Sequence, residues 1–118
     1  MRTLAALALS VVALTSLVLP ALADDLQVKV VSATSQVQVR GPIKLVVQTD
    51  PGATCDGNIH WQYKQSLDNF PLRAKTAGDD GTITWEWRAP SAAAHGTIDI
   101  ACKAGDKQGR TSVSVLVQ

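Results

Sequence analysis

Four carboxylates could carry acid–base chemistry in this sequence: Asp79, Asp80, Glu86 and Asp99. Two carboxyl groups held as a pair can serve as general acid and general base. Asp79 and Asp80, however, lie in a turn between two glycines. Glu86 and Asp99 alternate with apolar neighbours and are expected on outward strand faces. No serine from residue 24 onward stands in a Gly-x-Ser-x-Gly elbow. We therefore expect no catalytic residues and no enzyme activity.

Two histidines, His60 and His95, could ligate a metal. One is expected on an outward strand face and the other in a loop, and no His-x-His or His-x-x-x-His spacing places two ligands on one element. The segment Asp79-Asp80-Gly81 also lacks the alternating carboxylates of a calcium loop. We interpret both histidines as solvated surface residues and expect no metal and no cofactor.

Aromatic residues give the only pattern typical of a binding surface. Trp61 and Tyr63 share parity with Cys55, which predicts that they face inward. A one-residue register slip at Gly57 would instead expose Trp61 and Tyr63 as a flat stacking surface for a sugar ring or a peptide. Phe70, in a polar stretch, is a second candidate contact. We predict a binding site at Trp61, Tyr63 and Phe70, and a core that includes Ile83, Trp85, Trp87, Ile98 and Ile100.

Residues 1–23 have the three-part layout of a secretory signal peptide. A positive start at Arg2 precedes an apolar run, and the small residues Ala21 and Ala23 favour cleavage before Asp24. The apolar run is too short for a membrane span, so no integral membrane segment is expected in the mature chain. The sequence predicts an exported protein, periplasmic or extracellular.

Cleavage would leave one domain, residues 24–118, with ten Lys and Arg against ten Asp and Glu. This near-neutral charge argues against a nucleic-acid partner, which would require a basic face. The only two cysteines, Cys55 and Cys102, would reach an oxidising compartment, and a structural disulfide is expected between them. Free thiols for metal or redox work are the alternative, but no Cys-x-x-Cys is present.

Apolar and polar residues alternate with period two through most of residues 26–117. The turn residues Asp50-Pro51-Gly52 separate two such runs, and Gly78–Gly81 gives the strongest hairpin signal. We expect a loop over residues 65–71, followed by a short edge strand carrying Leu72, Ala74 and Thr76. Seven or eight strands with no helical stretch predict an all-β, antiparallel β-sandwich.

Three motifs occur in order: Pro51–Cys55, Asp80-Gly81-Thr82-Ile83-Thr84-Trp85-Glu86-Trp87, and Gly96–Cys102. Together they resemble the immunoglobulin-like β-sandwich domains of bacterial secreted and surface proteins, over roughly residues 26–118. The insertion Asp56-Gly57-Asn58 and Trp61 depart from that pattern. The resemblance implies a spacer, adhesion or binding module with no shared catalytic set. It also implies that Cys55 begins strand C, so that the disulfide lies within one sheet or at its end.

Two functional hypotheses follow. The first is a non-enzymatic exported domain that acts through surface contacts, adhering to or binding a protein or a cell-envelope polymer. The second is a periplasmic inhibitor or small-ligand carrier. A contiguous exposed apolar patch would favour binding, whereas a uniformly polar surface would favour a spacer.

Overall fold

The computed structural model describes residues 26–118, which contain eight strands and no helix. The strands are β1 (Lys29–Ala33), β2 (Gln36–Val37), β3 (Pro42–Gln48), β4 (Thr54–Gln62), β5 (Leu67–Thr76), β6 (Thr82–Arg88), β7 (Ala94–Ala104) and β8 (Lys107–Val117). The all-β prediction is thus confirmed. The leader 1–23 and its cleavage residues Ala21 and Ala23 lie outside the described residues. Within residues 26–118, no helix is long and apolar enough to cross a membrane.

The strands form a three-stranded sheet in the order β1-β3-β6 and a five-stranded sheet in the order β2-β8-β7-β4-β5. Every pairing is antiparallel except the two-residue contact of β2 with β8, which is parallel. The order corresponds to strands A, B and E of an immunoglobulin-like sandwich facing strands G, F, C and C′. Among the described residues, no strand D lies beside β6 in the smaller sheet.

The core lies between the two sheets and follows the alternation of the sequence. On β3, Ile43, Leu45 and Val47 are buried while Lys44 is exposed. On β7, Ile98 and Ile100 are buried in the same way. Burying each such aliphatic side chain stabilises the fold by about 1.5–3 kcal/mol.

Cys55 and Cys102 are bonded, as predicted. They occupy directly opposite positions on β4 and β7, with their Cα atoms 4.0 Å apart. The bridge therefore lies within the five-stranded sheet and does not join the two sheets as the antibody bridge does. On the chain-entropy model, closing this loop stabilises the domain by about 4 kcal/mol.

The expected loop over residues 65–71 is wrong, because β5 already begins at Leu67. A tight reversal precedes it, in which the Tyr63 N–H donates to the Ser66 carbonyl at 2.8 Å. Pairing with β4 then outweighs the weak strand propensity of this segment. The expected alternation of the edge strand also fails, since Leu72 is buried but Ala74 and Thr76 are both exposed.

The irregularity near Gly57 lies on β5 and not on β4. Between the pairs Cys55–Lys75 and Gly57–Leu72, β5 has two residues where β4 has one. On its other side β4 stays in unbroken register with β7. No register slip occurs, so the alternation along β4 is preserved through Trp61.

The turn at Gly78–Gly81 forms, but it does not make a hairpin. The Gly81 N–H donates to the Gly78 carbonyl at 2.9 Å, and Gly81 has a φ of 76° that glycine adopts without strain. The strands on either side of the turn, β5 and β6, belong to different sheets. The Asp80 carboxylate accepts bonds from the Thr82 N–H and hydroxyl, which lower the pKa of Asp80.

Candidate functional site

A cavity of about 440 Å³ opens on one side of the sandwich, where β5 and β6 face each other as the edge strands of their sheets. We call it the aromatic cavity. Its walls come from β4, β5, β6 and the segment after β6. It is lined by Ile59, Trp61, Tyr63, Phe70, Pro71, Leu72, Trp87, Arg88, Pro90 and Ser91.

Trp61 forms part of the inner wall and is 2% exposed. It lies opposite Gly96 on β7, and a Cβ on Gly96 would overlap the Trp61 ring. Glycine at that position therefore leaves room for the indole. Because Trp61 is buried, the hypothesis of an open, flat Trp61–Tyr63 stacking surface is wrong.

Tyr63 and Phe70 complete the predicted trio, and the structure brings all three around the aromatic cavity. Tyr63 is half-buried, and its pKa is raised by burial and, to a smaller extent, by the Asp68 carboxylate. Phe70 lies on β5 opposite Ile59 and is 49% exposed. Solvent exposure thus increases from the buried Trp61 through the half-buried Tyr63 to the exposed Phe70.

Trp87 forms the wall on the β6 side, and sequence reasoning did not assign it to the site. It packs against the core but is only half-buried. Its Nε1 atom is buried and has no hydrogen-bond partner among the described residues. The signal that could have found it is its position at the end of a strand, two residues before Ala89-Pro90.

Arg88 is the only charged residue among those that line the aromatic cavity. Its Nη1 donates to the Arg40 carbonyl at 3.1 Å. No carboxylate among residues 26–118 forms a salt bridge with it. An unpaired cation therefore lies beside an apolar cavity.

A second cluster lies on the outer face of the five-stranded sheet. The His60 ring is flanked by Asn69 Oδ1, 2.7 Å from Nδ1, and by Asp99 Oδ2, 3.1 Å from Nε2. The Ser112 hydroxyl donates to Asp99 Oδ1 at 2.9 Å. This chain of contacts crosses four strands, with the His60 and Asp99 side chains 48% and 54% exposed.

The order of groups in this cluster decides what it can do. Nucleophilic catalysis requires the serine hydroxyl to face the imidazole, but here Asp99 separates Ser112 from His60. His95 is also exposed on this face. Among the described residues, no group of three or more His, Cys, Asp or Glu side chains is placed to hold a metal ion. The aromatic cavity is therefore the stronger candidate site.

The other residues named from the sequence occupy the interior. Ile83, Trp85, Ile98 and Ile100 are buried. The Trp85 Nε1 donates to the Arg73 carbonyl at 2.8 Å.

No family model matches the chain, and no curated protein matches it in sequence. Among solved structures, it is similar to Escherichia coli alpha-2-macroglobulin activated by porcine elastase, with a TM-score of 0.67 and 6% identity. That match covers 78% of this chain but only 12% of the macroglobulin chain. It is also similar to the sulfur carrier protein SoxY from Chlorobium limicola f thiosulfatophilum, with a TM-score of 0.50 and 17% identity over 77% of this chain and 78% of that one. At these identities the likeness shows an immunoglobulin-like β-sandwich fold alone.

Proposed function

We propose that this chain is an exported, non-enzymatic binding domain that contacts a partner protein through the aromatic cavity. The observation that carries the proposal is the cavity itself, an apolar opening of about 440 Å³ with the exposed Phe70 ring at its mouth. Exposed aromatic side chains around a pocket are typical of binding surfaces, because they exclude water from a large area at low entropic cost. The leader-like residues 1–23 and the disulfide are compatible with export.

The shape of the site favours a protein partner over an envelope polysaccharide. Sugar rings stack on flat, exposed aromatic faces, whereas here Trp61 is buried and the other rings surround a cavity. A cavity of this kind has room for an apolar side chain from an extended segment. We further propose membership among the bacterial immunoglobulin-like domains of secreted and surface proteins, which the fold and the sequence motifs support.

The volume of the aromatic cavity also favours a second candidate function. Cavities of roughly 300–1,000 Å³ hold small molecules, and this cavity falls in that range. A periplasmic inhibitor or a carrier of a small apolar ligand is therefore the alternative. The two candidates differ in the ligand they predict. A binding domain retains a polypeptide, whereas a carrier holds a small molecule that organic solvent extracts.

A matched pair of variants on β5 tests the proposal. Phe70→Ala removes the ring at the cavity mouth, whereas Leu67→Ala removes a side chain that is 77% exposed on the same strand but does not line the aromatic cavity. We expect a polypeptide from envelope extract to be retained by the wild-type domain and by Leu67→Ala, and lost with Phe70→Ala. Equal retention by all three proteins would contradict the proposal. A solvent-extractable molecule lost only with Phe70→Ala would support the carrier function instead.

A further inference from the structure

The edge of β6 beside the aromatic cavity has unpaired main-chain groups. Hydrogen bonds from Thr49 N–H to the Gly81 carbonyl and from Ala89 N–H to the Gly41 carbonyl, both 2.8 Å, mark the two ends of the β3–β6 ladder. Residue pairs in an antiparallel ladder alternate between hydrogen-bonded and non-hydrogen-bonded. The main-chain N–H and C=O groups of odd-numbered residues on β6 therefore bond to β3, whereas those of even-numbered residues point away from β3. Lys44, opposite Glu86, accordingly bonds to Thr34 on the far side of β3.

Part of that edge is already occupied by side chains. The outward carbonyl of Thr84 accepts a bond from Lys75 Nζ at 2.6 Å, and the Trp85 indole bridges to the Arg73 carbonyl. These two bonds close one end of the gap between the sheets. Beyond them, no hydrogen bond among the described residues engages the main chain of Glu86 or Arg88 on this side. The open end of the edge therefore coincides with the aromatic cavity.

The facing edge of β5 cannot serve in the same way. The main-chain bond between Tyr63 and Ser66 sets the alternation on β5. The main-chain groups of Leu67, Asn69 and Pro71 therefore point away from β4. The Asn69 N–H is taken by the Asp68 carboxylate at 3.0 Å, and Pro71 has no N–H. Proline and inserted carboxylates are the usual means of protecting an edge strand from pairing. Among the described residues of β6, neither a proline nor a bonded carboxylate blocks the main-chain N–H groups of Glu86 and Arg88.

Charge around this edge indicates what an incoming strand would carry. Glu86 lies opposite Lys44 on β3, but Arg88 lies opposite Pro42 and has no charged partner in residues 26–118. Arg88 and Trp87 are consecutive, so their side chains point to opposite faces of the sheet. A strand that places an apolar side chain beside Trp87 would therefore place its adjacent residue beside Arg88.

We propose that the partner supplies an extended segment that adds to β6 as a fourth strand, with an apolar side chain in the aromatic cavity and an adjacent Asp or Glu paired with Arg88. This inference rests on the proposed function and specifies the mode of binding. Strand addition gives affinity through main-chain hydrogen bonds and specificity through alternate side-chain pockets. An acceptor on the incoming segment would also satisfy the buried Trp87 N–H.

Random twelve-residue peptides displayed on phage provide a probe that does not require the partner. We expect the selected peptides to share a bulky apolar residue next to Asp or Glu. Their affinity should fall about tenfold or more with Arg88→Gln, which removes a charge-assisted pair. Arg110→Gln, on an exposed position of β8, is the matched control and should leave affinity unchanged.

Amide hydrogen exchange with a selected synthetic peptide locates the binding mode. Protection should appear at the Glu86 and Arg88 amides, whereas the Trp85 and Trp87 amides are already bonded to β3 and should change little. Peptides that require Phe70 but leave Glu86 and Arg88 unprotected would overturn strand addition and preserve the proposed function. A selection that yields no peptide dependent on Phe70 contradicts the proposed function, and this inference with it.

Discussion

Trp85 and Trp87 are two residues apart on the same face of β6, yet they meet opposite ends of the gap between the sheets. Trp85 is 3% exposed, and its indole N–H donates to the Arg73 carbonyl at 2.8 Å. Trp87 is half-buried, and its buried N–H has no partner among the described residues. Trp85 therefore links the edges of the two sheets, whereas Trp87 lines the aromatic cavity.

The difference originates on the facing strand. The extra residue of β5 lies at Arg73 and Ala74, where the strand departs from regular pairing with β4. A bulge of this kind re-aims the backbone locally. The Arg73 carbonyl meets the Trp85 indole there, while at Pro71 the strand has no comparable contact with Trp87. A backbone feature on another strand thus separates two identical side chains, of which Trp85 is hydrogen-bonded in the core and Trp87 lines a cavity.

Truncating each tryptophan to alanine should give the largest contrast. Trp85→Ala is expected to lower the free energy of unfolding by about 3–5 kcal/mol, because it leaves a cavity in the core. Trp87→Ala should cost about half as much, since only part of its ring area is removed from water in the fold. Denaturant unfolding of the two variants measures both. Equal losses would contradict the distinction between a core residue and a cavity wall.

Replacing each tryptophan by phenylalanine removes the indole N–H together with part of the ring, and the loss of ring volume is common to both variants. Trp85→Phe leaves the Arg73 carbonyl without its donor, which costs about 1–3 kcal/mol. Trp87→Phe removes a buried donor that already lacks a partner, so its effect should stay within about 1 kcal/mol of zero. A loss with Trp87→Phe as large as that with Trp85→Phe would contradict the difference between the two indole N–H groups.

Period-two alternation was sufficient to predict most of this fold. The inward positions Ile43, Ile83 and Ile98 follow from parity alone, because a sheet with one covered face must bury alternate residues. The bond between Cys55 and Cys102 follows from their number and the predicted compartment. The buried positions depend on local sequence, and the disulfide depends on the number of cysteines. Predicting either feature requires no knowledge of which strands are neighbours.

Features that depend on the pairing of distant strands could not be predicted. The Gly78–Gly81 turn reverses the chain, but nothing in its residues specifies that β6 joins the other sheet. Residue type alone indicates Trp61, Tyr63 and Phe70, and only the β4–β5 pairing shows that they surround one cavity. Trp87 and Arg88 enter the site because β5 ends its contact with β6 before reaching them.

Tyr63 offers a smaller and more specific test of the open end of the gap. It is the only tyrosine in the chain, so absorbance titration reports on it alone. Burial, and secondarily the Asp68 carboxylate, raise the pKa of Tyr63 above its ordinary value of 10.0. The pKa of Tyr63 is thus higher in the folded state than in the unfolded state, so the protonated phenol favours folding. This contribution to the free energy of unfolding is complete below pH 10.0 and is lost as pH rises through the pKa of the folded state.

Asp68→Asn should therefore lower the pKa of Tyr63 only part of the way to its ordinary value, because burial remains. Asp79→Asn, in the exposed turn before β6, is the matched control and should leave the titration unchanged. A peptide bound in the aromatic cavity excludes further water from Tyr63 and should raise its pKa again. A titration that is unaffected by bound peptide would mean that the peptide occupies another surface, because Tyr63 lines the cavity that Trp87 leaves open.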